Sequence, residues 1–218
     1  MADAAPYAPY SLSNAGARTY YDASGNAIFT IDGVNRRMTF ASGAGLQLPA
    51  NSRAGVIPIG IFNARLLTTN AFLNTIEAGT PDGNTSPSLS RVNGATDKMA
   101  RLAWAAAAVD EVQLPSIVYP PDLDDTAAIT VCVLAAMAGA TDTPTISVGF
   151  FEGVGDTDAG GATAAVTGTT IAKYTRAIAA ADVGAYPKAA AITLTPGAHG
   201  TDALYVYGAW VEYTRLLT

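Results

Sequence analysis

The chain has one cysteine, one histidine, few charges and no long apolar run, and each scarcity removes a class of protein. A single cysteine among 218 residues cannot close an internal disulfide, and no CxxC or Cys/His cluster offers a zinc site. Cys132 falls in the apolar run 129–137, which predicts a buried, inert thiol. His199 lies in Pro196-Gly197-Ala198-His199-Gly200 and reads as a solvated turn residue. It leaves no histidine cluster for a metal, and no serine occupies a GxSxG elbow. No Walker or dinucleotide glycine motif is present, since Gly153-Val154-Gly155 runs into acidic residues and not into a helix start. The expectation is a non-enzyme without a cofactor.

Charged residues make up 14% of the chain and hydrophobic ones 50%, the reverse of a disordered composition. A low-charge chain rich in Ala, Gly and Thr suits a surface covered by neighbouring subunits. The net charge of −6 argues against nucleic acid as a partner, because phosphate binding needs clustered Lys and Arg. Residues 1–109 hold eight Lys/Arg against six Asp/Glu, a net of +2, and residues 110–218 hold four against twelve, a net of −8. Two halves of unlike charge suit two environments. The longest apolar stretch, 129–140, is too short to span a bilayer and contains Thr130. Residues 1–17 lack the basic and apolar regions of a secretory signal. These readings predict a soluble protein made in the cytosol, with no membrane partner.

Three segments follow. Residues 1–18, with Pro6, Pro9, Tyr7 and Tyr10 and no hydrophobic period, read as an extended N-terminal arm that grips a neighbouring subunit, a merely floppy terminus being the alternative. Residues 19–55 read as a short β-hairpin module: Asp22-Ala23-Ser24-Gly25-Asn26 and Asp32-Gly33 mark turns around strand-like 27–31 and 36–40. Strands so short cannot bury a core alone. Residues 56–218 read as a sandwich. Within them 56–78 fit strand and loop better than helix, 77–89 are a long loop, and 180–184 suggest a helical turn. Seven strands are predicted at 99–104, 112–118, 129–137, 145–151, 170–178, 189–195 and 203–213. Thr-Asp recurs at 96–97, 141–142, 157–158 and 201–202 and reads as local turn chemistry between strands. The fold class is therefore all-β: an antiparallel β-sandwich, jelly-roll-like, preceded by the arm and the hairpin module.

Strict alternation along 203–213 places Leu204, Val206 and Trp210 on one face and Tyr205, Tyr207, Val211 and Tyr213 on the other. Three tyrosines and a valine are a poor face to show water, so the strand is either central or part of a subunit interface. Asp156-Thr157-Asp158-Ala159-Gly160-Gly161 opens like a calcium loop, but Gly160 and Thr167 at the fifth and twelfth positions exclude an EF-hand. A looser Ca²⁺ site and a plain Asp-rich turn both remain open there. Asp122, Asp124 and Asp125 lie in one loop, where a solvated turn is the reading and a glycosidase pair the rival. Trp104 and Trp210 fall inside strand runs, which favours the core over an exposed sugar platform.

Two groups of residues carry a resemblance. Tyr21-Asp22-Ala23-Ser24-Gly25-Asn26, Asp32-Gly33 and Ala41-Ser42-Gly43-Ala44 resemble the short β module of tailed-phage fibre and head-attached proteins. The second group resembles a family of phage virion structural proteins, of capsid-decoration (cement) or head-fibre type. It comprises Arg91-Val92-Asn93-Gly94-Ala95-Thr96-Asp97-Lys98, Pro120-Pro121-Asp122-Leu123-Asp124, Gly139-Ala140-Thr141-Asp142-Thr143-Pro144, Gly155-Asp156-Thr157-Asp158 and Trp210-Val211-Glu212-Tyr213-Thr214-Arg215. The order of the motifs carries the match, each being a turn of low specificity. The resemblance implies a protein of the capsid surface, made in the host cytoplasm, contacting the major capsid protein and forming a trimer with itself. It implies no catalytic residue. Tyr7, Tyr10, Arg18, Arg36, Arg37 and Arg53 would contact the shell or sister subunits, and Tyr205, Tyr207, Val211 and Tyr213 would form the subunit interface. The rival is a tail fibre or receptor-binding sandwich that recognises host surface glycan.

Overall fold

The computed structural model describes residues 10–12, 17–21, 24, 26–32, 37–40, 53–76, 87–91 and 99–216. The chain divides into two units, Met1–Ser52 and Arg53–Thr218. The first holds an antiparallel four-stranded sheet of β1 (Tyr10–Leu12), β2 (Ala17–Tyr21), β3 (Ala27–Asp32) and β4 (Arg37–Phe40), in that order. Residues 10–12, expected in a free arm, are its first strand and pair with β2. Cross-strand pairing explains the register. Tyr20 stacks on Phe29 opposite it at 4.5 Å, and Thr19 bonds Thr30 through their hydroxyls.

The second unit begins with β5 (Ala54–Ile59), two residues before the expected boundary, because this strand pairs with the last strand of the sandwich. β6 (Arg65–Leu66), β7 (Asn74–Ile76), β8 (Ser88–Arg91), β9 (Ala100–Trp104), β10 (Val112–Gln113) and β11 (Ile117–Val118) follow. The chain ends in β12 (Ile129–Met137), β13 (Ile146–Phe151), β14 (Gly161–Ala162), β15 (Ala172–Ile178), β16 (Ala189–Pro196) and β17 (Leu204–Thr214). Among the described residues one sheet runs β14-β13-β16-β10-β6, with β11 also on β16. The other runs β15-β12-β17-β9-β8-β7, with β5 on β17. Pairing is antiparallel except between β7 and β8. The two sheets enclose a core in which Trp104, Tyr119, Phe150, Ile129, Met137, Ile192 and Leu194 are almost fully withdrawn from water. The fold is the expected antiparallel β-sandwich.

Two strands depart from simple alternation. The expected strand 112–118 is split into β10 and β11, both on β16, by Pro115, which has no N–H to give to a ladder. In β17 the register against β12 slips between Leu134↔Gly208 and Ala135↔Val206, so Tyr207 is an extra residue, a β-bulge. A one-residue slip exchanges the faces beyond it. Leu204 and Val206 face the core before the bulge, and Ala209, Val211 and Tyr213 face it afterwards.

Candidate functional site

The bulge decides what the outer face of the seven-stranded sheet displays. Tyr205 and Tyr207 stand on it half-buried, as expected. Val211 and Tyr213 do not: they are 0% and 8% exposed in the core, because the extra residue at Tyr207 turns them inward. Trp210 and Glu212 take their places outside, so Trp210 is not the core residue that alternation predicts.

Two side-chain groups occupy this face. Arg101, only 7% exposed, alternates outward from β9 while Leu102 and Trp104 turn in. Its Nε donates to Ser90 Oγ at 3.1 Å and its Nη1 to the Tyr207 hydroxyl at 3.2 Å. Its guanidinium carbon lies 3.4 Å from the centroid of the Tyr205 ring, a cation–π stack. Beside it, Glu212 Oε1 accepts from Trp210 Nε1 at 3.0 Å and Lys173 Nζ at 2.6 Å. Lys173 and then Trp210 hold the Glu212 carboxyl below the ordinary carboxylate range, and the Lys173 ammonium is raised in return. Cys132, directly opposite Trp210, is buried under this group; burial pushes its thiol up to about 11, which leaves it unreactive. Pro58 lies across from Trp210 and the 56% exposed Val56 across from Glu212. The result is a sheet face of aromatic and apolar surface on which Lys173 pairs with Glu212 and Arg101 is held by hydroxyls and an aromatic ring.

A second feature is a cleft of about 260 Å³ where β13, the loop after it, the 3-10 turn Ala180–Asp182 and Lys188 meet. Glu152 anchors it. Its Oε1 accepts from the Tyr119 hydroxyl at 2.5 Å and the Gly184 N–H at 2.6 Å, and Oε2 accepts from Lys188 Nζ at 3.1 Å. Burial works to raise the Glu152 carboxyl, but Tyr119, Gly184 and Lys188 outweigh it and hold the group below its ordinary value. Burial and then Glu152 drive the Tyr119 phenol far upward.

Asp122, Asp124, Asp156, Asp158 and His199, which the sequence singles out, each have partners within the sandwich. Asp156 accepts the N–H groups of Glu152 and Thr157, and Asp158 Oδ1 those of Phe150 and Gly160, so the calcium-like sequence brackets its own loop. Among the described residues no three His, Cys, Asp or Glu side chains are grouped to hold a metal ion. Asp124 binds Thr126 and Arg53, and Asp122 accepts from the Tyr213 hydroxyl. His199 is 1% exposed, contrary to the solvated turn expected, with Nδ1 2.8 Å from the Gly197 carbonyl oxygen and Nε2 3.1 Å from that of Ala105. The Thr-Asp pairs at 141–142 and 201–202 are not merely local. Asp202 Oδ2 accepts the N–H groups of Thr141 and Asp142, while Asp142 Oδ2 accepts those of Thr201 and Asp202.

Of the expected shell contacts, Tyr7 and Arg36 lie outside the described residues, Tyr10 and Arg37 lie in β1 and β4, and Arg18 is exposed on β2. Arg53 belongs to the sandwich and not to the small module, with Nη2 3.0 Å from Asp124 Oδ2. Arg101, Trp210, Lys173 and Glu212 were not expected at a site. Gly208 inside an aromatic strand was the signal for a bulge, and Arg101 inside an apolar one the signal for an outward turn. No helix among the described residues is long and apolar enough to cross a membrane.

The sequence matches no protein-family model and no curated protein. Among solved structures, the fold is similar to the CBM36-1 domain of a multidomain xylanase from the Trinervitermes trinervoides hindgut metagenome: TM-score 0.41, 11% identity, 75% of this chain and 99% of that one. It is similar to the CBM22-1–GH10 modules of Clostridium thermocellum endo-1,4-beta-D-xylanase 10B complexed with xylohexaose, at TM-score 0.40 and 12% identity. There 73% of this chain matches, spanning only 28% of that chain. The enzymatically active domain of bacteriophage CBA120 tailspike protein 4 gives TM-score 0.31 and 10% identity, over 73% of this chain and 19% of that one. Likeness at this level carries no argument about ligand or activity.

Proposed function

We propose that this chain is a non-enzymatic structural subunit of a tailed-phage particle, displayed on the capsid surface. It packs there against further copies of itself, as a trimer, and against the major capsid protein. The observation that carries the reading is the outer face of the seven-stranded sheet, where Tyr205, Tyr207 and Trp210 lie half-buried beside exposed Val56 and Pro58. Aromatic surface whose charged groups are already engaged, Lys173 by Glu212 and Arg101 by Ser90, Tyr207 and the Tyr205 ring, has the composition of an interface centre. Each bridge between copies adds binding free energy only in the assembled state and so stabilises a shell.

Sedimentation of the full chain tests the reading: wild type is expected to associate and Trp210→Glu to sediment as a monomer of unchanged secondary structure. Particles lacking the protein are expected to lose heat and osmotic resistance, and an antibody to this chain to decorate the heads. A wild-type chain that stays monomeric and is absent from heads would refute it. A second reading, a tail-borne domain recognising host surface glycan, is favoured by the polar cleft beside Lys188.

A further inference from the structure

The cleft brings acidic, basic and hydroxyl side chains together in one hollow. Phe150, 1% exposed, and Val183 lie beneath it, so what the hollow presents is chiefly polar. Its rim carries Asp156, Thr157, Asp182 and Lys188, which come from the loop after β13, the 3-10 turn and the approach to β16. Three separate pieces of backbone therefore converge on one hollow.

The hollow is also held in shape. The Glu152 carboxylate ties the Gly184 N–H, the Tyr119 hydroxyl and the Lys188 ammonium into one network, so the turn and the Lys188 approach cannot move independently. Glu152 has both oxygens engaged, Oε1 by two donors and Oε2 by one. Lys188 donates one of its three N–H bonds to it and keeps the others at the rim, with its side chain 52% exposed. Each Asp156 oxygen accepts one backbone N–H, Oδ2 from Glu152 and Oδ1 from Thr157, which leaves lone pairs for a further donor.

The hollow thus offers carboxylate acceptors, one ammonium donor and a hydroxyl from three directions, which is the complement of a ring whose edge carries hydroxyl groups. The volume of about 260 Å³ lies just under the ~300–1,000 Å³ of drug-sized sites, the scale of one sugar ring and not of a chain of them. We propose that the cleft binds a single pyranose unit, the terminal residue of a surface glycan, with Asp156 and Asp182 accepting from its hydroxyls and Lys188 donating to them. This rests on the glycan reading and names its site and ligand class.

The test titrates the full chain with a panel of methyl pyranosides, followed by shifts of backbone amide signals, alongside intact host polysaccharide. At least one pyranoside is expected to shift Ala159, Val183 and Gly184 saturably. Asp182→Asn, at an exposed position in the turn, is expected to weaken that binding about tenfold with the melting temperature unchanged. Lys188→Met is expected to weaken it similarly. Polysaccharide binding that survives both substitutions would overturn the cleft and leave the glycan reading standing. Binding of neither sugar form would overturn both. Shifts produced only by Ca²⁺ or by a diamine would mark the cleft as an acidic cation trap and equally overturn the proposal.

Discussion

Replacing Val211 by threonine keeps the shape of the side chain and adds one hydroxyl, so the variant reports which way this part of β17 faces. Val211 is 0% exposed and sits opposite Val131 inside the sandwich. A hydroxyl placed there without a partner costs about 1–3 kcal/mol, or ~2–12 °C in melting temperature for a domain of this size. Had β17 run without a bulge, Val211 would share the outer face with Tyr205 and Tyr207, and the change would stay within about 0.5 kcal/mol. A companion deletion sharpens the test. Removing Gly208 makes plain alternation place Leu204, Val206, Ala209 and Val211 on one face, so the deleted chain keeps its core. Removing Leu134 from the facing strand instead turns Ala135 and Met137 outward, and that chain is expected to unfold. Thermal unfolding followed by circular dichroism reads all three. A neutral Val211→Thr, or an unfolded Gly208 deletion beside a folded Leu134 deletion, would refute the bulged register.

Other perturbations reach other parts of the sandwich. The N–H groups of Asp202 and Thr201 hold the Asp142 carboxyl below its usual range, so its contribution is complete above the unfolded-state value near ~3.9 and fades as pH falls through the lower folded value. Asp142→Asn should therefore be less stable than wild type at neutral pH and show a shallower loss below about pH 4, measured as melting temperature against pH. His199→Ala removes the ring between the Gly197 and Ala105 carbonyls and should cost about 1–3 kcal/mol in urea denaturation. A methyl at Gly55 would fall 2.1 Å from the Tyr213 ring, so Gly55→Ala should cost about 1–3 kcal/mol and shift the tyrosine signals in near-ultraviolet dichroism.

How much of this was legible in the sequence depends on the range of the interaction involved. β12 matches its expected bounds, and β13, β15 and β16 lie within two residues of theirs, because a period of two and flanking turns are properties of neighbouring residues. The Pro115 break was equally local and equally visible, though a continuous strand was expected across it. The facing of Val211 was not visible in the same way. Alternation is counted from one end, and a single extra residue at Tyr207 reverses everything after it. The clasp between residues 141–142 and 201–202 shows the same limit. Each Thr-Asp pair advertises turn chemistry, but only the fold brings two of them together so that each carboxylate serves the other's backbone. His199 misled for a related reason: a glycine-flanked turn can tuck inward when carbonyls wait for its ring.

The distribution of partners among the carboxylates bears on what the chain can do. Asp124 bonds Thr126 and Arg53, Asp142 and Asp202 hold backbone N–H groups, and Glu212 is shared by Lys173 and Trp210. A carboxylate that accepts several donors is stabilised as the anion, which makes it a poor general acid and a weakened base. The acids that composition offers for hydrolysis are thus largely committed to pinning loops. What is left over, the aromatic outer face and the rim of the cleft, is surface that can be covered or filled without first breaking an ion pair other than the one at Lys188. That asymmetry is an argument for the binding role we propose. It also makes the reading vulnerable at one point, because turnover of a glycan that disappears in Asp156→Asn would require a carboxylate to leave its two N–H donors and act on substrate.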